Sequence, residues 1–412
     1  MLKYKKFKLD NGLTVINHHD EASSIAIFNL MYHVGSKHEE QDKTGLAHFL
    51  EHMMFEGSKN IPEFDKALAE SGGASNAFTS PDVTNYYVNL PASCIETAFW
   101  LDADRMFNLS LTQERFDVQK KVVIEEFKQR YLSQPYGDIW HLIRELTYEV
   151  HPYRWPTIGI DIQGIESLTV DDLRAFYEQY YHPKNAHLVI GGGVSDELAL
   201  ALANKWFSKS KGEFTPKNLP KEPLWDARRE LTVERKVPHN IIYLVFQANK
   251  RTSDDFLSFS LLSDMLGNGH SSFLYKSLVK EKGIFSSISS YHNMSFDEGL
   301  FIVSGTLEDE ISFLDAEQHI IGCIADFLSQ NNLEYDLQKI KNQEKTEHAI
   351  HTISLQERVQ NLAFASVLGD VDRVNTEMEE IEKVELEDIK RAFKKYLTTP
   401  NYRVLNYKKI DK

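Results

Sequence analysis

The sequence predicts an α+β fold of two homologous α/β-sandwich halves, each a mainly antiparallel sheet covered by helices. Three observations carry that expectation. The first is a repeat: Val170–Tyr180 (Val-Asp-Asp-Leu-Arg-Ala-Phe-Tyr-Glu-Gln-Tyr) resembles Leu386–Tyr396 (Leu-Glu-Asp-Ile-Lys-Arg-Ala-Phe-Lys-Lys-Tyr), about half a chain further on. Each copy reads as a helix followed by a Pro or Asn turn and an apolar strand, at residues 186–190 in the first and 402–405 in the second. The second is a break: from Lys209 to Trp225 the chain is poor in large apolar residues and interrupted by Gly212, Pro216 and Pro220. That divides it into residues 1–208, a linker at 209–228, and residues 229–412. The third is that each half opens with strands. Asn11-Gly12 is a turn dipeptide between residues 7–9 and 13–15, and residues 241–246 form an apolar run. Helical patterns at 91–106 and 311–328 would cover one face of each sheet.

Bulk properties narrow the function. With 412 residues, 42% of them hydrophobic, the chain is long enough for two domains with their own cores. No run approaches the ~18 apolar residues of a membrane helix, and the start has no apolar signal region, so a cytoplasmic protein without a membrane partner is expected. The 61 Asp and Glu against 46 Lys and Arg give a formal charge of −15, which disfavours nucleic acid and suits neutral or basic peptides. Cys94 and Cys323 lie far apart in apolar segments, as two buried free thiols would.

The chemistry gathers in residues 44–57. Leu46, Phe49, Leu50 and Met53 follow the i, i+3, i+4, i+7 pattern of an amphipathic helix that Asp42 or Thr44 would cap and Gly57 would end. At ~100° per residue, His48, Glu51 and His52 gather on the opposite side. Two imidazoles one turn apart are placed to share a metal ion, with Glu51 aimed at the same point. Zinc held this way needs a third protein ligand and an open position for water, which a carboxylate then deprotonates. The acidic helix at 113–131 offers that ligand, and spacing alone does not decide between Glu125 and Glu126.

With these residues in view, the chain resembles the pitrilysin/insulinase family of zinc peptidases, in its smaller two-domain branch that includes bacterial homologues of the mitochondrial processing peptidase. The resemblance runs through Gly45-Leu46-Ala47-His48-Phe49-Leu50-Glu51-His52, the segment 72–86, Val122-Val123-Ile124-Glu125-Glu126, and His151-Pro152-Tyr153-Arg154-Trp155-Pro156-Thr157-Ile158-Gly159. It implies a zinc metalloendopeptidase with one Zn2+ per chain, held by His48, His52 and Glu126, and Glu51 as the base. The family's register, a second glutamate seven residues before the ligand, selects Glu126; that earlier position is Gln119 here, an amide beside the metal instead of a charge. The resemblance also implies that a peptide substrate lies as an added β-strand along Ser75, Asn76, Ala77 and Phe78 in an enclosed chamber. The family often carries an Arg and, seven residues later, a Tyr that reach the substrate. The matching positions are Val279 and Ser286, which cannot replace them. A heterodimer in which a homologous subunit supplies the pair is therefore expected, a homodimer being the other arrangement. The alternative function is a non-catalytic structural or processing subunit of the same fold.

Overall fold

A computed structural model describes residues 1–410, which divide into two compact units. The strands, in chain order, are β1 (Lys5–Lys8), β2 (Thr14–His19), β3 (Ile25–Tyr32), β4 (Ala74–Thr79), β5 (Thr84–Pro91), β6 (Ala186–Gly192), β7 (Arg229–Arg235), β8 (Ile241–Gln247), β9 (Phe285–His292), β10 (Leu300–Leu307) and β11 (Arg403–Lys409). The helices of the first half are α1 (Leu46–Met53), α2 (Phe64–Glu70), α3 (Ile95–Asn108), α4 (Gln113–Phe127), α5 (Ile139–Thr147), α6 (Ile162–Ser167), α7 (Val170–Tyr180) and α8 (Asp196–Phe207). The second half adds α9 (Phe256–Gly267), α10 (Phe313–Asp326), α11 (Leu333–His351), α12 (Leu355–Val367), α13 (Arg373–Lys383) and α14 (Leu386–Tyr396).

The first unit holds a six-stranded sheet in the order β1-β2-β6-β3-β5-β4, and the second a five-stranded sheet in the order β7-β11-β8-β10-β9. Among the described residues only β2 with β6 and β7 with β11 run parallel; the other strand pairs are antiparallel. Setting β1 aside, the two orders match strand for strand, so the repeat read from one helix and its strand extends over the whole sheet. The turn at Asn11-Gly12 joins β1 to β2 as expected, with Gly12 at φ 93.

Strand alternation explains the layers. On β3, Ala26, Phe28, Leu30 and Tyr32 enter the first core, where they meet Phe49 and Leu50 of α1 and Phe99 of α3. The intervening Ile27, Asn29 and Met31 are equally buried, but on the other face. That face is covered by α12, which packs on β6 and β3. Gly191 permits the approach, since a side chain there would collide with Val359.

The compact units depart from the linear division at 209–228. The segment Ala349–Asn375, which contains α12, belongs to the first unit, and Ser133–Val150, which contains α5, to the second. There α5 packs on β11 and β7, with Arg403 Nε donating to Leu146 O at 3.2 Å and Tyr407 Oη to Asp138 Oδ1 at 2.6 Å. An amphipathic pattern marks a helix as needing cover without saying which sheet provides it, so neither exchange was visible in the sequence. No helix or strand falls between Phe207 and Arg229, but the early part of this stretch is tied down: Lys211 Nζ donates to Tyr181 O at 2.8 Å, and Lys217 Nζ pairs with Glu40 at 2.6 Å. Cys323 is buried and Cys94 half-buried, and both are free. Among the described residues no helix is long and apolar enough to cross a membrane.

Candidate metal centre and strand edge

Helix α1 buries Leu46, Phe49, Leu50 and Met53, leaving His48, Glu51 and His52 on its half-buried side as its period requires. Its start is built differently from the expected cap. Gly45 is the N-cap at φ 93, a left-handed conformation that suits glycine, and a Cβ there would lie 2.6 Å from Ile158 O. The orphan amides are met by Glu39, whose Oε2 accepts from Gly45 N at 2.9 Å and Oε1 from Ala47 N at 2.8 Å. Thr44 instead accepts from Ile160 N at 3.1 Å.

Helix α4, capped by Thr112, brings Glu126 to this side of α1. Glu126 Oε2 lies 3.3 Å from His52 Nε2 and 3.7 Å from His48 Nε2, and the two imidazole centroids are 4.8 Å apart. Glu125 points outward, with 71% of its side chain exposed and Lys128 as its partner at 2.7 Å. Among the described residues this trio is the one group of three His, Cys, Asp or Glu side chains placed to hold a metal, its ligand atoms all lying within 4.8 Å of one another.

The trio fits zinc. Ligands at ~2.0–2.1 Å in a tetrahedron stand ~3.4 Å apart, close to the two distances from Glu126. Arg130 Nη2 takes the other carboxylate oxygen, Oε1, at 3.1 Å, turning Oε2 toward the histidines. Burial, reinforced by the neighbouring His52, holds His48 below the ordinary histidine range, so it is neutral at pH 7 as a ligand must be. Burial opposes charge on His52 as well, but the hydrogen bond and charge of Glu126 prevail and raise it, so a metal ion at His52 competes with a proton for Nε2. His52 Nδ1 faces Gln119 Oε1 at 3.3 Å, and Gln119 Nε2 donates to Glu56 Oε1 at 2.6 Å.

Glu51 sits beside the trio and accepts a hydrogen bond from Thr79, at the end of β4. Burial raises its carboxyl above the usual range, and the Thr79 bond works against that rise. This contact joins the helix to the strand edge. β4 is the outermost strand of its sheet and pairs with β5 alone. Of its side chains, Ser75, Ala77, Phe78 and Thr79 are half-buried while Asn76 is exposed. Ala77 joins the first core. Phe78 stacks on Phe364 of α12, with centroids 6.1 Å apart and planes at 16°. Asn76 Oδ1 accepts from Ala77 N at 2.8 Å. The four residues expected to touch substrate thus share one edge strand, whose far end meets Glu51. In the second unit, Val279 packs against the core and Ser286 is exposed on β9, its hydroxyl donating to Thr306 O at 3.3 Å.

Thr79, Glu56, Arg130 and Glu39 were not singled out from the sequence. Thr79 stood inside the quoted motif at 72–86 and Glu56 inside the stretch 44–57; Arg130 follows Glu126 by four residues, an i,i+4 pairing the helical pattern at 113–131 could have suggested, whereas Glu39 carried no local signal.

Comparison with known proteins agrees with this architecture. Residues 14–149 match the family described as Insulinase (Peptidase family M16), and residues 167–344 match the Peptidase M16 inactive domain. The zinc protease PqqE of Helicobacter pylori is 27% identical over 401 residues, spanning 96% of this chain and 90% of its own. A probable mitochondrial-processing peptidase subunit beta of Arabidopsis thaliana is 23% identical over 83% of this chain and 66% of its own. The crystal structure of a protease from Helicobacter pylori superposes with a TM-score of 0.91 at 27% identity, over 99% of this chain and all of that one. The chain belongs to the insulinase family of peptidases, family M16.

Proposed function

We propose that the chain is a zinc metalloendopeptidase that hydrolyses peptides or unfolded segments lying as an added strand on β4. The observation that carries this reading is the convergence of His48, His52 and Glu126, with Glu51 beside them and tied through Thr79 to the exposed edge. When bound, zinc supplies a Lewis acid that polarises the scissile carbonyl and brings the pKa of a water toward ~7. Glu51, its carboxyl oriented by Thr79, takes the proton of the attacking water and returns it to the leaving amine. The open edge of β4 holds the substrate by main-chain hydrogen bonds, which suits many sequences. Ser75, Asn76, Ala77 and Phe78 line that strand.

We also assign the chain the catalytic role in a dimer that encloses the reaction chamber. Val279 and Ser286 leave it without an Arg/Tyr pair of its own, and a homologous second subunit is the natural source of one. In support, the fold covers 48% of the periplasmic protease PqqL of Escherichia coli at a TM-score of 0.83, so in that protein it makes up about half of a longer chain. The cytoplasmic location expected from the sequence belongs to this proposal, and cell fractionation checks it. The absence of the pair favours a second reading, a non-catalytic structural or processing subunit.

Cleavage of quenched peptides by the purified chain, alone and with any co-purifying homologue, separates the two. Glu51→Gln should keep one zinc per chain and lower kcat by about 10²–10⁴-fold. Zinc-loaded wild type that cuts nothing in either setting would establish the structural reading.

A further inference from the structure

Position 119 carries an amide where the family has a glutamate, but a carboxylate stands one hydrogen bond further out. Gln119 Oε1 faces His52 Nδ1 at 3.3 Å, and Gln119 Nε2 donates to Glu56 Oε1 at 2.6 Å. An amide has two unlike ends. Only its oxygen accepts a hydrogen bond from an Nδ1–H. Turned over, it would present N–H to Nδ1, and the imidazole would carry its proton on Nε2, the atom that faces Glu126 at 3.3 Å. A metal ligand needs that nitrogen bare, and the bond made by the other ring nitrogen decides the tautomer. A glutamate at 119 would face no such choice, because both of its oxygens accept. Glu56 resolves the choice for the amide: as an acceptor it can be met only by the NH2 end of Gln119, which turns the oxygen toward His52.

We propose that Glu56 is a positioning residue that acts through Gln119 to fix the His52 tautomer with Nε2 open to the metal. Its place in the fold suits the task. It lies just beyond α1, its backbone N–H bonded to Met53 O at 3.1 Å, and its half-buried carboxylate turns back toward α4. The inference rests on the assignment of His52 as a zinc ligand.

The test measures zinc affinity of the full chain by competition with a chromophoric chelator, without substrate. Glu56→Leu should weaken zinc binding by about 10–100-fold. Adding Gln119→Glu to Glu56→Leu should bring affinity back near the wild-type value, because a carboxylate at 119 accepts from Nδ1 in any orientation. A role of Glu56 in packing alone would not be rescued this way. Wild-type affinity in Glu56→Leu, or a loss that Gln119→Glu does not repair, overturns the inference and leaves the zinc site standing. Wild type that binds no zinc, or His52→Ala that binds it equally well, overturns the ligand assignment and the inference together.

Discussion

Thr79 closes the contact between the strand edge and the proposed base. Its hydroxyl donates to Glu51 Oε2, and in the proposed mechanism fixing one carboxylate oxygen leaves the other to meet the attacking water. A hydrogen bond to a charged group is worth ~1.5–3 kcal/mol, so Thr79→Val, which keeps shape and loses the donor, should lower kcat about ten- to a hundredfold. Zinc content and KM should stay near wild type, and Thr79→Ser should recover most of the rate; steady-state kinetics with metal analysis checks this, and a Val variant with the wild-type kcat would remove Thr79 from the mechanism. At this scale the sequence was legible where partners are local. His48, Glu51 and His52 share one turn of helix, so their common face follows from the period. Glu125 and Glu126 were indistinguishable by spacing, and only packing turns the first to Lys128 and the second to the histidines. Thr79 meets Glu51, and Glu56 meets Gln119, across long stretches of sequence, and no periodicity connects such pairs.

Helix α1 shows the same boundary between local and distant information. Its apolar stripe predicted its existence and its buried face, but not its cap, because the acceptor comes from Glu39 across a loop and not from Asp42 or Thr44. Glu39 is buried, and that burial pushes its carboxyl up to about 8 from an ordinary 4.5, against the two backbone bonds from Ala47 and Gly45. A folded-state pKa above the unfolded one means that the folded chain holds an extra proton between the two values. The stability Glu39 contributes is therefore full below the unfolded pKa and declines as pH rises through about 8. Glu39→Gln removes the titration and sets an NH2 against a backbone N–H, at a cost of ~1–3 kcal/mol. Relative to wild type, the variant should be most destabilised near pH 5 and progressively less so toward pH 9. Melting temperatures of the metal-free chain across that range test it; a gap that widens with pH would contradict the assigned direction.

Over the whole molecule, the repeat and the break after Phe207 were legible because each is written in a short stretch of residues, whereas the exchange of α5 and α12 was not. Its consequence is that the first half is not self-sufficient. In a fragment of residues 1–208, Ile27, Met31 and Val189, each at most 1% exposed in the intact chain, would lose the cover that α12 gives their face of the sheet. Burial of such side chains stabilises by ~1.5–3 kcal/mol each, a large share of a typical domain stability of ~5–15 kcal/mol. A bare apolar sheet face also invites association. The fragment should therefore aggregate or expose its β3 amides to rapid hydrogen exchange, and a chain in which residues 349–375 follow residue 220 through a flexible linker should recover a monomer with those amides protected. Size-exclusion chromatography and exchange mass spectrometry distinguish the outcomes. If 1–208 alone is monomeric with β3 protected, the sheet needs no second cover, and α12 serves instead chiefly to hold Phe78 of the strand edge through Phe364.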